Sequence, residues 1–281
     1  MARRLTHFER MNHKFQLLVT FLLGGVLCLA FGCGGSSTGS NPTARSTPAD
    51  RGKQIVDEFL KRDASPYRHD RIRFTVTDED KTQKVYEIET WRKQTPDETV
   101  TLNDMIAAPQ GEEGGRSLTI EGKGKKTVVV TYAQSRDEFR ETDSKKMFFG
   151  GLTVGELLGD WDKFDYQFLG EKDLNGAHVF QVEGRLREGA DSQVSKMNVL
   201  FRADNYVPVE SHLFGVDGKE IRTYKTDSIK EDPVHPYASK AEVDNPVYKT
   251  HVIIEIVSRE FPEKIDDAMF AREKLKEPIK K

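Results

Sequence analysis

A mainly β chain with short helices, threaded as an antiparallel meander, is predicted by three features of the 281-residue sequence. Apolar and polar residues alternate with period two through most of the chain from Arg71 onward, the spacing of half-buried strands. Two strong hairpin dipeptides, Asn175-Gly176 and Asp217-Gly218, each stand between such runs. Long helical stretches between strands are missing, which leaves little βαβ character, and no solenoid-type repeat is present.

The first element is an export signal. Arg3, Arg4, Arg10 and Lys14 precede an apolar run from Leu17 to Phe31 that stops at Gly32-Cys33 and the flexible Gly34-Gly35-Ser36-Ser37. Leu29-Ala30-Phe31-Gly32-Cys33 resembles the bacterial lipobox, in which the cysteine carries diacylglycerol and becomes the mature N-terminus. Lipid attachment at Cys33 is the first reading. An uncleaved anchor and simple cleavage are the other two, because the run is only a little shorter than the ~20 residues that span a bilayer. Cys28 and Cys33 are the only cysteines, so a cut before Cys33 leaves no thiol for a disulfide or a thiolate metal site. The expected organisation is a signal peptide over 1–32, a lipidated tether over 33–49, a β domain over 50–272 and a charged tail over 273–281. These readings place the protein in the cell envelope, facing the periplasm, and the non-acidic Gly34 favours the outer membrane by resemblance to enterobacterial lipoproteins.

Composition narrows the function classes. The formal net charge is −3, and loss of the basic signal makes the remainder more acidic, which gives no electrostatic case for nucleic acid. A charged fraction of 32% beside 36% hydrophobic residues suits a sheet with one wet face.

Between Gly34 and Ala49 the Ser/Thr/Gly/Pro/Asn tract cannot bury surface and reads as a tether. Asp50 is placed to cap a helix from about Arg51 to Arg62, with Ile55, Val56, Phe59 and Leu60 on one face. Strands follow at Arg71 to Val76, Val85 to Trp91 and Thr127 to Tyr132. The two hairpins join Phe164 to Leu169 with His178 to Val182, and Val209 to Phe214 with Glu220 to Tyr224. Late strands are expected near Met197 to Phe201 and His251 to Val257.

One segment breaks this rhythm. Met147 to Leu152 leads into Thr153 to Trp161, where Thr153 and Glu156 have capping-box spacing for a short helix. Phe148, Phe149, Leu152, Val154, Leu157, Leu158 and Trp161 gather there among glycines. The segment is either a connecting helix that plugs one end of the sheet or a hinged lid over an apolar cavity. Trp91 is a further candidate for core or cavity lining.

Several stretches together resemble the outer-membrane lipoprotein-sorting superfamily, the LolA/LolB-like proteins. They are Phe148-Phe149-Gly150-Gly151-Leu152 through Glu156-Leu157-Leu158, then Phe164 to Glu171, Leu174-Asn175-Gly176, Val199 to Val209, Phe214 to Lys219 and Ile265 to Phe270. The resemblance spans most of residues 50 to 272. It implies a half-open antiparallel β-barrel of about eleven strands around a hydrophobic cavity, closed on one side by a helical lid. It also implies that acyl chains of lipids or lipoproteins are the partners, without a cofactor. Two features depart from the family pattern: Gly151-Leu152-Thr153 replaces a Ser/Asp-rich signature, and the loop from Gln110 to Arg116 is unusually glycine-rich and acidic.

Catalytic signatures fail. Gly122-Lys123-Gly124-Lys125-Lys126-Thr127 lacks the glycine and hydroxyl positions of a phosphate loop and reads as a hairpin tip. His69, His178, His212, His235 and His251 show no metal-ligand spacing, and no Gly-x-Ser-x-Gly elbow occurs. Asp78-Glu79-Asp80 reads as a solvated turn and Asp266-Asp267 as a helix cap. The expected function is therefore non-catalytic and metal-free: a membrane-tethered protein that binds acyl chains, lipoproteins or other hydrophobic ligands in trafficking to the outer membrane. A periplasmic scaffold or protein-interaction lipoprotein with a filled lumen is the alternative.

Overall fold

Thr47, rather than Asp50, starts the first helix in the computed structural model. The structure describes residues 46–279 except 111, 113, 114, 123, 144, 146, 148 and 160, with Asp63 and Leu158 described by their backbone only. The signal segment, Cys33 and most of the expected tether lie outside the described residues, as do Phe148 and the Leu158 side chain. Helix α1 runs Pro48–Asp63. The Thr47 hydroxyl accepts from Asp50 N at 3.1 Å and the Asp50 carboxylate accepts from Thr47 N at 3.1 Å, a reciprocal capping box with Pro48 just inside the helix. Asp50 thus acts from the first turn, because a threonine three residues earlier supplies the cap.

The strands are β1 (Tyr67–Thr77), β2 (Gln83–Gln94), β3 (Glu98–Ala107), β4 (Arg116–Gly122), β5 (Val128–Ala133), β6 (Glu138–Asp143), β7 (Phe164–Leu174), β8 (Ala177–Leu186), β9 (Lys196–Arg202), β10 (Pro208–Phe214), β11 (Glu220–Lys230), β12 (Tyr237–Asn245) and β13 (Thr250–Glu260). A second helix, α2, spans Val154–Leu158. All thirteen described strands form one antiparallel sheet in the order β6-β5-β4-β3-β2-β1-β13-β12-β11-β10-β9-β8-β7. The meander turns back once, where β13 pairs with β1. The sheet does not close: β6 and β7 are its free edges.

Thirteen strands stand where about eleven were expected. β3, β4, β6 and β12 escape notice in the sequence because Thr, Asn, Asp, Lys and Glu occupy many of their positions. β6, with the sequence EFRETD, carries the charge that discourages an exposed edge from pairing with another chain. Both predicted hairpins form: Asn175 and Gly176 adopt φ of 50° and 82°, and Gly218 adopts 76°.

One row of side chains crosses eight strands on a single face. Phe168, Val182, Val199, Ser211, Tyr224, Val243, Val252 and Val76 are successive cross-strand partners from β7 to β1. This inner face carries two apolar clusters. Around β7 to β9, Phe164, Phe180, Val199 and Phe201 pack against Ile55 and Val56 of α1. Around β1, β12 and β13, Phe74, Val76, Val243 and Val252 pack against Phe149 and Leu152. Tyr224 touches both.

The third cluster lies on the other face. Leu102, Leu118 and Val130 are cross-strand partners of opposite parity, and Leu275 completes their cluster. Here part of the stretch expected as a charged tail packs on the sheet. Single turns of 3-10 helix at Asp267–Phe270 and Arg272–Lys276 lay Leu275 into the sheet, 5% exposed. Arg116 anchors them, donating to Lys274 O at 2.7 Å while its guanidinium pairs with Asp104 at 2.5 Å. The charges of this segment face outward as Arg272–Glu141 and Lys276–Asp137 pairs, while Leu275, with Met269 and Phe270, packs on the sheet.

The candidate lid and its arginine anchor

The stretch from Met147 to Trp161 enters the inner face through two glycines. Gly150 and Gly151 have φ of 61° and 76°, conformations that suit residues without a Cβ. A Cβ on Gly150 would sit 2.4 Å from Val252 Cγ2, so the backbone itself is pressed on the sheet. That contact lets the chain's carbonyls reach side chains of the strands. Gly150 O accepts from Asn245 Nδ2 and from Thr250 Oγ1, both at 2.7 Å.

Arg222 is the centre of this arrangement. It lies on β11 on the same face as Tyr224 and is 2% exposed. Its Nη2 donates to Gly151 O at 2.5 Å and its Nη1 to Asn245 Oδ1 at 2.9 Å. Its Nε lies 3.4 Å from Glu156 Oε1 in α2. Glu156 also serves the helix cap: Thr153 N donates to its Oε2 at 2.7 Å, and Glu156 N donates to Thr153 Oγ1 at 3.2 Å. The expected capping box is therefore present, and its acidic partner extends it to a buried ion pair. Such a pair costs several kcal/mol per ion to desolvate and repays this only with good geometry.

The apolar candidates of the segment divide by position. Phe149 stacks on Tyr86 with centroids 4.1 Å apart and leans on Phe74 at 5.2 Å. Burial pushes the Tyr86 phenol up to about 12, and its bond to Glu112 adds to the shift. Leu152 is fully buried and Val154 is 4% exposed, whereas Leu157 is partly in solvent. Trp161 joins the other cluster, edge-on to Phe59 of α1 at 5.1 Å, and its carbonyl accepts from the Tyr166 hydroxyl at 2.5 Å. Phe149 and Leu152 thus pack on one inner-face cluster and Trp161 on the other.

Trp91 does not join them. It stacks flat on His69, at 5.1 Å and 8°, on the opposite face beside Leu102. Period two puts Trp91 and Tyr86 on opposite sides of β2, so the tryptophan belongs to the cluster under the C-terminal turns. Two open hollows lie away from the segment. One, of about 200 Å³, is bordered by Leu169, Gln181, Asn198, Glu210 and His212; another, of about 240 Å³, by Glu98, Ile120, Lys125, Glu141 and Arg272. The expected hairpin tip between β4 and β5 is found at the second hollow. Among the described residues, no group of three His, Cys, Asp or Glu side chains is arranged to hold a metal ion.

Sequence reading did not single out Arg222, Asn245 or Tyr224. A signal existed for the arginine: in Glu220 to Tyr224 it shares the parity of a tyrosine that the alternation buries. Asn245 carries no such mark, because only the fold brings it to Gly150.

A family model described as an uncharacterized protein matches residues 103–277. The chain belongs to that family. No curated protein matches it. Solved structures give the fold. A DUF1329 family protein from Desulfovibrio piger superimposes with a TM-score of 0.74 at 15% identity, over 82% of this chain and all of that one. A putative outer membrane lipoprotein-sorting protein domain from Vibrio parahaemolyticus gives 0.73 at 16%, over 82% and 100%. A LolA superfamily protein from Nitrosomonas europaea gives 0.64 at 10%, over 80% and 99%. This chain therefore has the half-open LolA-like fold, with Phe149 and Leu152 packed on its inner face.

Proposed function

We propose that this protein binds acyl chains, of lipids or of lipoproteins, on the inner face of its open sheet and works as a membrane-tethered, non-catalytic carrier or acceptor. One observation carries the reading. The apolar inner face of β1, β12 and β13 is covered by Phe149 and Leu152, from a short segment that enters through two left-handed glycines, instead of by further sheet. Displacing that segment would uncover Phe74, Val76, Val243 and Val252 as a ready apolar surface. Each ligand methylene buried there is worth roughly 0.8 kcal/mol, so an acyl tail can compete with Phe149 and Leu152 for the same strands. In this reading Phe149, Leu152, Val154 and Leu157, with Phe148 and Leu158, form the lid, and Trp161 holds its far end to α1. The lipoprotein-sorting and LolA names of the solved structures that share the fold support the ligand class. Cys33 is the proposed lipid attachment site, with the outer membrane as the favoured location. Among the described residues no helix is long and apolar enough to cross a membrane.

A protein-interaction scaffold is the second reading. Full burial of Leu152 and near-full burial of Arg222 favour it, since they make the segment resemble a permanent plug.

Native mass spectrometry with lipid extraction, on protein purified from a Gram-negative envelope, separates the two. Co-purified lipid or lipoprotein released on denaturation is the expected result. An apo mass, with no uptake of a fluorescent fatty acid, would leave the scaffold.

A further inference from the structure

Three polar atoms shut away from solvent lie together under α2 without a hydrogen-bond partner: Glu156 Oε1, Arg222 Nε and Tyr224 Oη. The first two face each other at 3.4 Å as an ion pair that is too long for a good hydrogen bond. The tyrosine hydroxyl has no acceptor, and leaving such a group unsatisfied costs about 1–3 kcal/mol. Burial, and after it the charge of Glu156, raises the phenol's ionisation above its ordinary range, which keeps it a neutral donor. Arg222 and Tyr224 are two residues apart on β11 and therefore share the inner face.

On the proposed acyl-chain function, we propose that Arg222 and Tyr224 form the head-group site for a long-chain carboxylate, which Glu156 occupies by proxy when the lid is down. Opening the lid carries the Glu156 carboxylate away on α2 and exposes a guanidinium N–H and a phenol O–H on the same face of β11. A ligand carboxylate accepts both bonds, restores the ion pair and supplies the acceptor that Tyr224 lacks. One guanidinium with one hydroxyl matches a singly charged carboxylate, the group already seated there, better than a phosphate with more oxygens to satisfy. The tail has a defined course. From Tyr224 the row runs through Val243 and Val252 to Val76, three inter-strand spacings or roughly 14 Å, along the strip that Phe149 and Leu152 now cover. Head and tail would each replace a part of the lid.

The test compares ligands that differ only in the head. Full-length protein is titrated with [1-13C]palmitate, hexadecanol and hexadecyl phosphate, and the carboxyl 13C shift reports ion pairing. Palmitate is expected to bind at least about tenfold tighter than hexadecanol. E156Q should tighten palmitate several-fold more than hexadecanol: both gain from a less firmly held lid, but only palmitate gains from loss of the built-in competitor. Y224F should weaken palmitate alone. Every variant carries the same N-terminal segment, so uptake there cancels in these ratios, and the isosteric Glu156 and Tyr224 changes leave side-chain volume intact, with folding of each variant checked by its melting temperature before titration. Equal binding of palmitate and hexadecanol, with E156Q changing both alike, overturns the head-group site while acyl binding stands. Tighter binding of hexadecyl phosphate than of palmitate overturns the carboxylate assignment. Binding of none of the three removes the acyl-chain function and this site with it.

Discussion

Arg222 and Glu156 meet 3.4 Å apart with both side chains at or below 5% exposure, one on the sheet and one on the short helix above it. No other ion pair described between the sheet and this segment is so buried, and it ties a five-residue helix to β11. Removing one partner leaves the other charged in a dry site. Arg222→Ala should therefore cost about 3–5 kcal/mol of stability. In a urea-denaturation double-mutant cycle with Glu156→Gln, the two effects should couple by at least about 1 kcal/mol. Strict additivity would mean that the pair does not fasten the segment.

Gly52 offers a test with an inverted sign. Replacing glycine by alanine inside a helix ordinarily stabilises by about 0.5–1 kcal/mol. Here α1 lies so close to β7 that a Cβ would fall 2.7 Å from Phe168 N, against backbone that cannot yield as a side chain does. Gly52→Ala should lower the melting temperature, with a cost of about 1–3 kcal/mol. A rise would show that α1 packs less tightly on the edge strand than the structure has it.

The stability should carry a histidine signature. His212 lies between Glu210 and Glu220, each at 2.9 Å. Burial pulls its ionisation down, but hydrogen bonds to the two carboxylates more than offset this and raise it above the ordinary histidine range. His178 is raised as well, chiefly by Glu171 and then Asp173. A group raised in the folded state adds stability that is full below its unfolded value and fades as pH climbs through the folded one. The melting-temperature gap between wild type and His212→Gln should accordingly be larger near about pH 6 than near about pH 8.5. A gap that does not change with pH would argue that the contacts are not charged pairs.

Leu275 should matter to the fold although it stands among charges. Leu275→Ala should destabilise by about 2–4 kcal/mol, the cost of emptying a buried leucine site. Chemical denaturation measures it directly. A loss under about 0.5 kcal/mol would return the segment to the solvated tail that its composition suggests.

That segment shows where reading the chain succeeds and where it stops. Alternation exposed β1, β2 and β5, and the dipeptides Asn175-Gly176 and Asp217-Gly218 marked their turns, because period and turn chemistry are local. The capping box of Thr153 and Glu156 was legible for the same reason, at a spacing of three. β3, β4 and β6 were harder, since their Thr, Asn and charged positions blur the alternation. The tryptophans divided: Trp161 packs with α1 on the inner face, whereas Trp91 belongs to the other side.

By itself the sequence determined the antiparallel class, the hairpins, the short capped helix and the gathering of Phe149, Leu152 and Val154 near paired glycines, because each depends on residues a few positions apart. Only the tertiary structure decided that β13 returns to β1, that Leu275 covers Leu102, and that Arg222 meets Gly151 and Glu156 across about seventy residues of chain. Those pairings depend on sheet order and register, which the whole set of buried faces settles together and no local spacing encodes.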